Sequence, residues 1–131
     1  MKKTVASFVM LIVTVVALSL YACSKGPEDL LAGRWGVVRA TTMSEGMAFD
    51  NTEYLKGLTL EFGEDGRVVV AEPGMSASGR WVYSDGSITI EIDGEEELFV
   101  VDNLEKSAMT LSVTEVEDHI ESTIVMDFEK L

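Results

Sequence analysis

Residues 79–102 read GRWVYSDGSITIEIDGEEELFVVD. Trp81 and Tyr83, then Ile88, Ile90 and Ile92, then Leu98 and Val100 recur at every second position, and Asp-Gly pairs at 85–86 and 93–94 separate the three runs. A period of two puts successive side chains on opposite faces of a strand, and Asp-Gly adopts the positive φ that a tight hairpin requires. Three consecutive strands joined by two tight turns follow. The same pattern extends outward in both directions. Leu58, Leu60 and Phe62 alternate with Thr59 and Glu61 before Gly63-Glu64-Asp65-Gly66 turns the chain into Arg67–Ala71. Met109, Leu111 and Val113 form a further run, and Ile120, Ile124, Met126 and Phe128 the last.

Eight runs result, at 34–41, 57–63, 66–72, 78–84, 87–93, 96–102, 107–116 and 119–129. Every connection is short except the link from Thr42 to Lys56. Consecutive hairpins make an up-and-down meander, whose two end strands expose unpaired edges unless the sheet closes on itself. The expectation is an all-β domain, an eight-stranded up-and-down antiparallel barrel. A two-sheet sandwich of the same strands is the competing architecture, and it needs longer crossovers than these. Eight strands enclose a space that side chains fill or that holds one small ligand.

The N-terminal part has a different character. Lys2 and Lys3 precede a stretch from Val5 to Ala22 with no charge, Gly or Pro, which describes a secretory signal. A retained transmembrane helix is the rival, since the run just reaches spanning length, but Ser7, Thr14 and Ser19 dilute it. The run ends at the chain's single cysteine, Cys23, which has no partner for an intramolecular disulfide. Leu20-Tyr21-Ala22-Cys23 resembles a bacterial lipobox, matching at Leu20 and Ala22, with Tyr21 bulkier than usual. That resemblance implies cleavage before Cys23 and lipidation of its thiol, giving a signal peptide at 1–22, a polar tether at 23–29 and the folded domain at 30–131. Several acyl chains would then anchor the protein firmly in a membrane. The acidic residues behind the cysteine, Glu28 and Asp29, resemble surface-export signals of Bacteroidetes lipoproteins, and Ser24 resembles outer-membrane sorting. The expected place is the outer membrane, on its periplasmic or surface-exposed face.

A second resemblance concerns the folded part. Gly33-Arg34-Trp35 is similar to the Gly-x-Trp signature that opens lipocalins, in which the tryptophan closes the base of the barrel. With LAGRWGVVRA, LTLEFGEDGRVVV and GRWVYSDGSITIEI, the chain resembles small lipocalin-like lipoproteins of Bacteroidetes over residues 30–131. The likeness implies a barrel with Gly33 and Trp35 in structural roles and an interior that takes a small apolar ligand. Lipocalins place a late arginine over that tryptophan, whereas this chain has none after Arg80. Lys130 is the candidate to cover the ring by a cation–π contact.

The long link, TTMSEGMAFDNTEYLKG at 41–57, sits where lipocalins carry a lid loop. Asp50 or Thr52 is placed to cap a short helix through Tyr54 and Leu55 that stops at Gly57. Met47, Phe49 and Tyr54 from this link, with Phe62, Trp81, Tyr83 and Phe128 from the strands, are the candidate ligand-lining residues. The alternative is that the link's apolar residues plug the barrel mouth.

Charge and composition narrow the function further. The 131 residues carry 10 Lys+Arg against 23 Asp+Glu, a formal net charge of −13. Nucleic-acid binding needs clustered basic residues and is excluded on this ground. The one histidine, His119, stands among Glu117, Asp118 and Glu121 at a turn, without the Cys and His sets of a structural zinc site. Asp93, Glu95, Glu96 and Glu97 lack the spacing of a calcium loop and read as a solvated hairpin end. No catalytic constellation, metal site or cofactor motif is present, and an enzyme is not expected. Three readings stay open: a monomeric barrel that binds a small apolar ligand, a module whose acidic surface meets a basic protein partner, and an accessory packed in an outer-membrane assembly through outward residues such as Val69, Val82 and Val125.

Overall fold

The computed structural model describes residues 26–131. The signal segment, Cys23 and the first part of the tether lie outside the described residues. A short helix α1 (Pro27–Leu31) leads into β1 (Gly33–Ser44), β2 (Met47–Asp50) and a second short helix α2 (Thr52–Leu55). Seven further strands follow: β3 (Thr59–Phe62), β4 (Arg67–Glu72), β5 (Met75–Ser84), β6 (Ser87–Ile92), β7 (Glu95–Leu104), β8 (Ala108–Glu117) and β9 (Ile120–Lys130).

Each strand from β3 to β9 pairs antiparallel with its neighbour in sequence, and β9 returns to pair with β1. That last ladder runs from Trp35 opposite Lys130 to Ser44 opposite Ser122. The sheet is therefore closed, and the sandwich alternative is ruled out. Eight strands form the barrel and correspond to the eight expected runs. The ninth, β2, is an addition that alternation alone did not mark, because its four residues Met-Ala-Phe-Asp are all exposed.

The expected boundary of the folded domain also moves. Residues 27–29, assigned above to the tether, belong to α1. Pro27 suits the first helical turn, where its missing N–H costs nothing, and Glu28 and Asp29 favour the positive end of the helix. Leu31 at the end of this helix is fully buried.

One end of the barrel is packed solid. Leu31, Trp35, Phe62, Val68, Ile88, Met109, Leu111 and Phe128 are fully buried there, each contributing roughly 1.5–3 kcal/mol by leaving water. The Phe62 and Trp81 rings meet at 5.0 Å between centroids with their planes tilted by 60°. Both indoles find polar partners: Trp35 Nε1 donates to the Leu31 carbonyl at 2.9 Å, and Trp81 Nε1 to the Gly63 carbonyl at 2.9 Å. We call this end the base. It holds α1 and the turns after β3, β5 and β7. At Gly79, on β5, a side chain would collide with the Glu91 carbonyl of β6, so this tight passage of two strands requires glycine.

Lys130 covers Trp35, as the lipocalin resemblance led us to expect. Its Nζ lies 5.1 Å from the ring centroid and donates a hydrogen bond to the Leu30 carbonyl at 3.1 Å. The same side chain passes so close to Gly33 that a Cβ there would stand 2.7 Å from Lys130 Cε, and Gly33 has φ of +128°. The first residue of the Gly-x-Trp motif is thus fixed both by backbone conformation and by the cation that crosses it.

The long link continues the barrel wall. Along one edge β1 pairs with β3 through Gly33–Gly36 and with β2 through Thr41–Ser44, which leaves a gap between them. Helix α2 fills it. The Ala40 N–H donates to Thr52 Oγ1 at 3.1 Å, and the Asn51 N–H donates to the Ala40 carbonyl at 2.9 Å, so both main-chain groups of Ala40 find partners on the edge that has no facing strand. The N-cap position falls on Asn51, which makes no side-chain capping bond, and not on Asp50 or Thr52 as expected; Asp50, one residue earlier, accepts the Thr52 N–H at 2.9 Å. Hydrogen bonding from the Thr52 hydroxyl first and the Thr52 N–H second holds the Asp50 carboxyl below its usual range, with Arg39 adding a smaller attraction.

Candidate functional site

The other end of the barrel is hollow. A cavity of about 620 Å³ opens there, bounded below by Leu60, Val113, Met126 and Phe128 and higher up by Leu58, Val70, Ile90, Phe99 and Ile124. Its position follows from side-chain size. Both tryptophans, with Phe62 and Met109, fill the base, whereas no tryptophan reaches the mouth half, where Val70, Ile90, Phe99, Ile124 and two glutamates leave the centre unfilled.

Pairing registers identify the inward face of each strand. Buried Ile90 stands opposite Glu97, and Ile88 opposite Phe99, so on β7 the inward set is Glu97, Phe99 and Val101. The sequence pattern had placed Leu98 and Val100 in the alternating apolar set. Both are outward and exposed, at 56% and 44%. The triple Glu95-Glu96-Glu97 gave no alternation from which to set the phase of this strand.

On β8 the inward set is Met109, Leu111, Val113 and then Glu115. Glu97 and Glu115 therefore face into the same cavity from adjacent strands. Glu95, opposite Ile92, and the turn residue Asp93 add further carboxylates at the rim. Burial raises the Glu97 carboxyl above its ordinary value, and the charge of Glu115 together with a hydrogen bond to it raises it further. Neither carboxylate has a cation at salt-bridge distance. Among the described residues the ion pairs are Lys56–Glu53 and Arg67–Asp65, both exposed and outside the cavity.

The expected ligand-lining residues separate into three groups. Phe128 lines the cavity floor. Phe62, Trp81 and Tyr83 instead belong to the base: Phe62 is fully buried against Trp81, and Trp81 and Tyr83 border a smaller, more polar hollow with Glu28, Asp29 and Glu64. Met47, Phe49 and Tyr54 do not line the cavity either and are 58%, 48% and 85% exposed. Nor do they plug the mouth. Met47 and Phe49 lie opposite Ser44 and Thr42 on β1, and Thr42 in turn lies opposite the cavity residue Ile124. The two side chains thus sit on the inner face of the sheet but above the mouth, where no opposite wall reaches them. Tyr54 points away on α2.

Apart from Phe128, sequence reasoning missed the whole lining, including Leu58, Val70, Phe99 and the two glutamates. Strand parity carried a signal for them once any buried neighbour fixed the phase. What parity could not reveal was which end of the barrel is hollow. Among the described residues no three His, Cys, Asp or Glu side chains are grouped to hold a metal ion.

No protein-family model matches this chain, and no curated protein sequence does. Solved structures do resemble it. An uncharacterized protein from Bacteroides eggerthii aligns with a TM-score of 0.54 and 14% identity over 77% of this chain and 99% of that one. Bovine odorant binding protein, in complex with a selenium-containing odorant, aligns with a TM-score of 0.50 and 15% identity over 82% of this chain and 74% of that one. The fold is lipocalin-like. At these identities the likeness concerns the arrangement of strands, and the lipocalin-like barrel presents its own set of cavity side chains.

Proposed function

We propose that this protein is a lipid-anchored envelope protein that holds one small, largely apolar molecule in the mouth half of its barrel, and that it is a binding module and not an enzyme. The observation that carries this reading is the cavity of about 620 Å³ walled by Ile90, Phe99, Val113, Ile124, Met126 and Phe128. Its volume falls within the range of about 300–1,000 Å³ typical of small-molecule sites, and its walls are the aliphatic and aromatic groups that such sites use. The bovine barrel of similar fold holds an odorant, which supports the reading by analogy.

The anchor is the second part of the proposal. The lipobox-like Leu20-Tyr21-Ala22-Cys23 and the lone thiol support acylation at Cys23. Pro27 lies four positions beyond Cys23, a reach of at most about 14 Å. Because α1 packs at the base, such an anchor would hold the base against the bilayer and turn the mouth away from it. Outer-membrane residence is part of the same proposal.

Two measurements test it. The neutral fluorescent probe N-phenyl-1-naphthylamine, titrated with purified protein, is expected to brighten and saturate at one molecule per chain. No saturable binding of the probe, or of any apolar compound displacing it, would defeat the ligand reading. Metabolic labelling with palmitate is expected to mark the wild-type chain and to be lost in Cys23→Ala.

A further inference from the structure

We infer that the molecule held in this cavity is a cationic amphiphile, with an apolar body against the barrel floor and a basic nitrogen between Glu97 and Glu115. The inference rests on reading the cavity as a ligand site and adds the class of ligand. Every ionisable side chain on the cavity wall is acidic: Asp93, Glu95, Glu96, Glu97 and Glu115 line it, and no Lys, Arg or His does. Glu97 and Glu115 lie inward from the rim, one step above Phe99 and Val113 on their strands. They adjoin each other with no cation to offset them.

Two carboxylates facing each other at an apolar wall oppose one another, even though both side chains reach water. An ammonium or other protonated nitrogen placed between them would donate hydrogen bonds to both and replace repulsion with attraction. A carboxylate or phosphate ligand would meet the reverse, a third negative charge in a narrowing acidic funnel. The overall charge of −13 extends that preference outward by drawing cations toward the mouth. The apolar floor sets the other half of the requirement. Small inorganic cations would leave the half-buried wall residues Leu58, Val70, Phe99 and Ile124 facing water, so charge alone does not satisfy the site.

The test compares three ligands with one tail. Decylammonium, decanol and decanoate, each below its micelle concentration, displace N-phenyl-1-naphthylamine from the purified protein. Decylammonium is expected to bind at least about tenfold more tightly than decanol, with decanoate weakest. Raising sodium chloride is expected to weaken decylammonium and leave decanol unchanged. In Glu97→Gln/Glu115→Gln the ratio of ammonium to alcohol affinity is expected to fall to within about twofold of unity. Equal binding of the three compounds, or a preference for decanoate, would overturn the cationic class while leaving the cavity reading intact. Failure of the probe and of all three compounds to bind would overturn both. An ammonium preference that survives in the double variant would also overturn the assignment to these two glutamates.

Discussion

The ammonium of Lys130 lies 5.1 Å from the centre of the Trp35 ring, and the stem that carries it crosses the space where Gly33 would bear a side chain. One lysine thereby joins the last strand to the first at the barrel base and links α1 to both through the Leu30 carbonyl. Lys130→Ala is expected to cost about 1–2 kcal/mol, from the lost cation–π contact and hydrogen bond together. Gly33→Ala is expected to cost about 1–3 kcal/mol, because φ of +128° is closed to an L side chain. In the double variant the collision between the new methyl group and Lys130 is absent, so the two losses should sum to less than their separate values. Lys130→Arg is expected to preserve stability, since a guanidinium stacks on an indole at least as well. Urea denaturation midpoints of the four variants decide these points, and simple additivity in the double variant would show that the packing account of Gly33 is wrong.

The turn at Asp118-His119 differs from its counterparts. Glu45-Gly46, Asp85-Gly86 and Asp93-Gly94 all pair a first residue at positive φ with glycine, whereas His119 takes φ of +67° with a side chain. Aspartate tolerates this region and histidine does so at some cost. His119→Gly is therefore expected to stabilise the protein by about 1 kcal/mol, seen as a rise of several degrees in the thermal midpoint. An unchanged or lower midpoint would mean that the imidazole makes a compensating contact.

Glu97 gives the barrel a pH dependence whose sign can be worked out. Burial first and Glu115 second raise its carboxyl above the usual value of 4.5, so between that value and its folded-state value the native protein binds more protons than the unfolded chain. Through this window stability falls as pH rises, and above it the penalty is complete. Glu97→Gln removes the penalty. At neutral pH the variant should be more stable than the parent by less than about 1 kcal/mol, because the group remains partly in water and screened. At pH 4 both side chains are uncharged and the difference should vanish. Asp50 acts in the opposite sense: its carboxyl is lowered by Thr52, so its contribution is present above the usual value of 3.8 and is lost as pH falls through its folded-state value. Thermal midpoints of parent and Glu97→Gln between pH 4 and pH 8 isolate the Glu97 effect, and a difference that does not grow with pH would contradict it.

The barrel was legible in the sequence because its information is local. Alternation and Asp-Gly turns specify strands and hairpins one at a time, and closure follows from the need to pair two edges. The Gly-x-Trp motif was legible for the same reason, and so was the substitution of Lys130 for the expected arginine. The wall at 41–57 was not. Strand β2 buries none of its residues, and α2 is held by Thr52 on Ala40, a side-chain bond across 12 positions that no periodicity announces. The candidate site was harder still. Aromatic residues looked like ligand contacts, yet their size is what fills the base, so Phe62, Trp81 and Tyr83 went to packing. The cavity arose where no tryptophan stands, and Glu97 within it was disguised by a run of three acids.

That relation between side-chain size and hollow space can be turned into a test of the cavity itself. Ile124 faces inward from β9, half-buried, opposite Val113 on β8 and Thr42 on β1. An indole at this position would project across the mouth toward Val70 and Leu58, into space that the wild-type side chains leave empty. In a packed core such an enlargement would strain the structure by about 1–3 kcal/mol. In a real cavity it should be accommodated, with stability held or raised by up to about 2 kcal/mol as apolar surface is covered. Ile124→Trp is therefore expected to keep or increase the urea midpoint while weakening N-phenyl-1-naphthylamine binding by at least about tenfold, since probe and indole compete for one volume. The two readouts must move apart for the prediction to hold. Loss of stability together with loss of binding would mean that the mouth half collapses around its own side chains in solution, and that the barrel is closed at both ends.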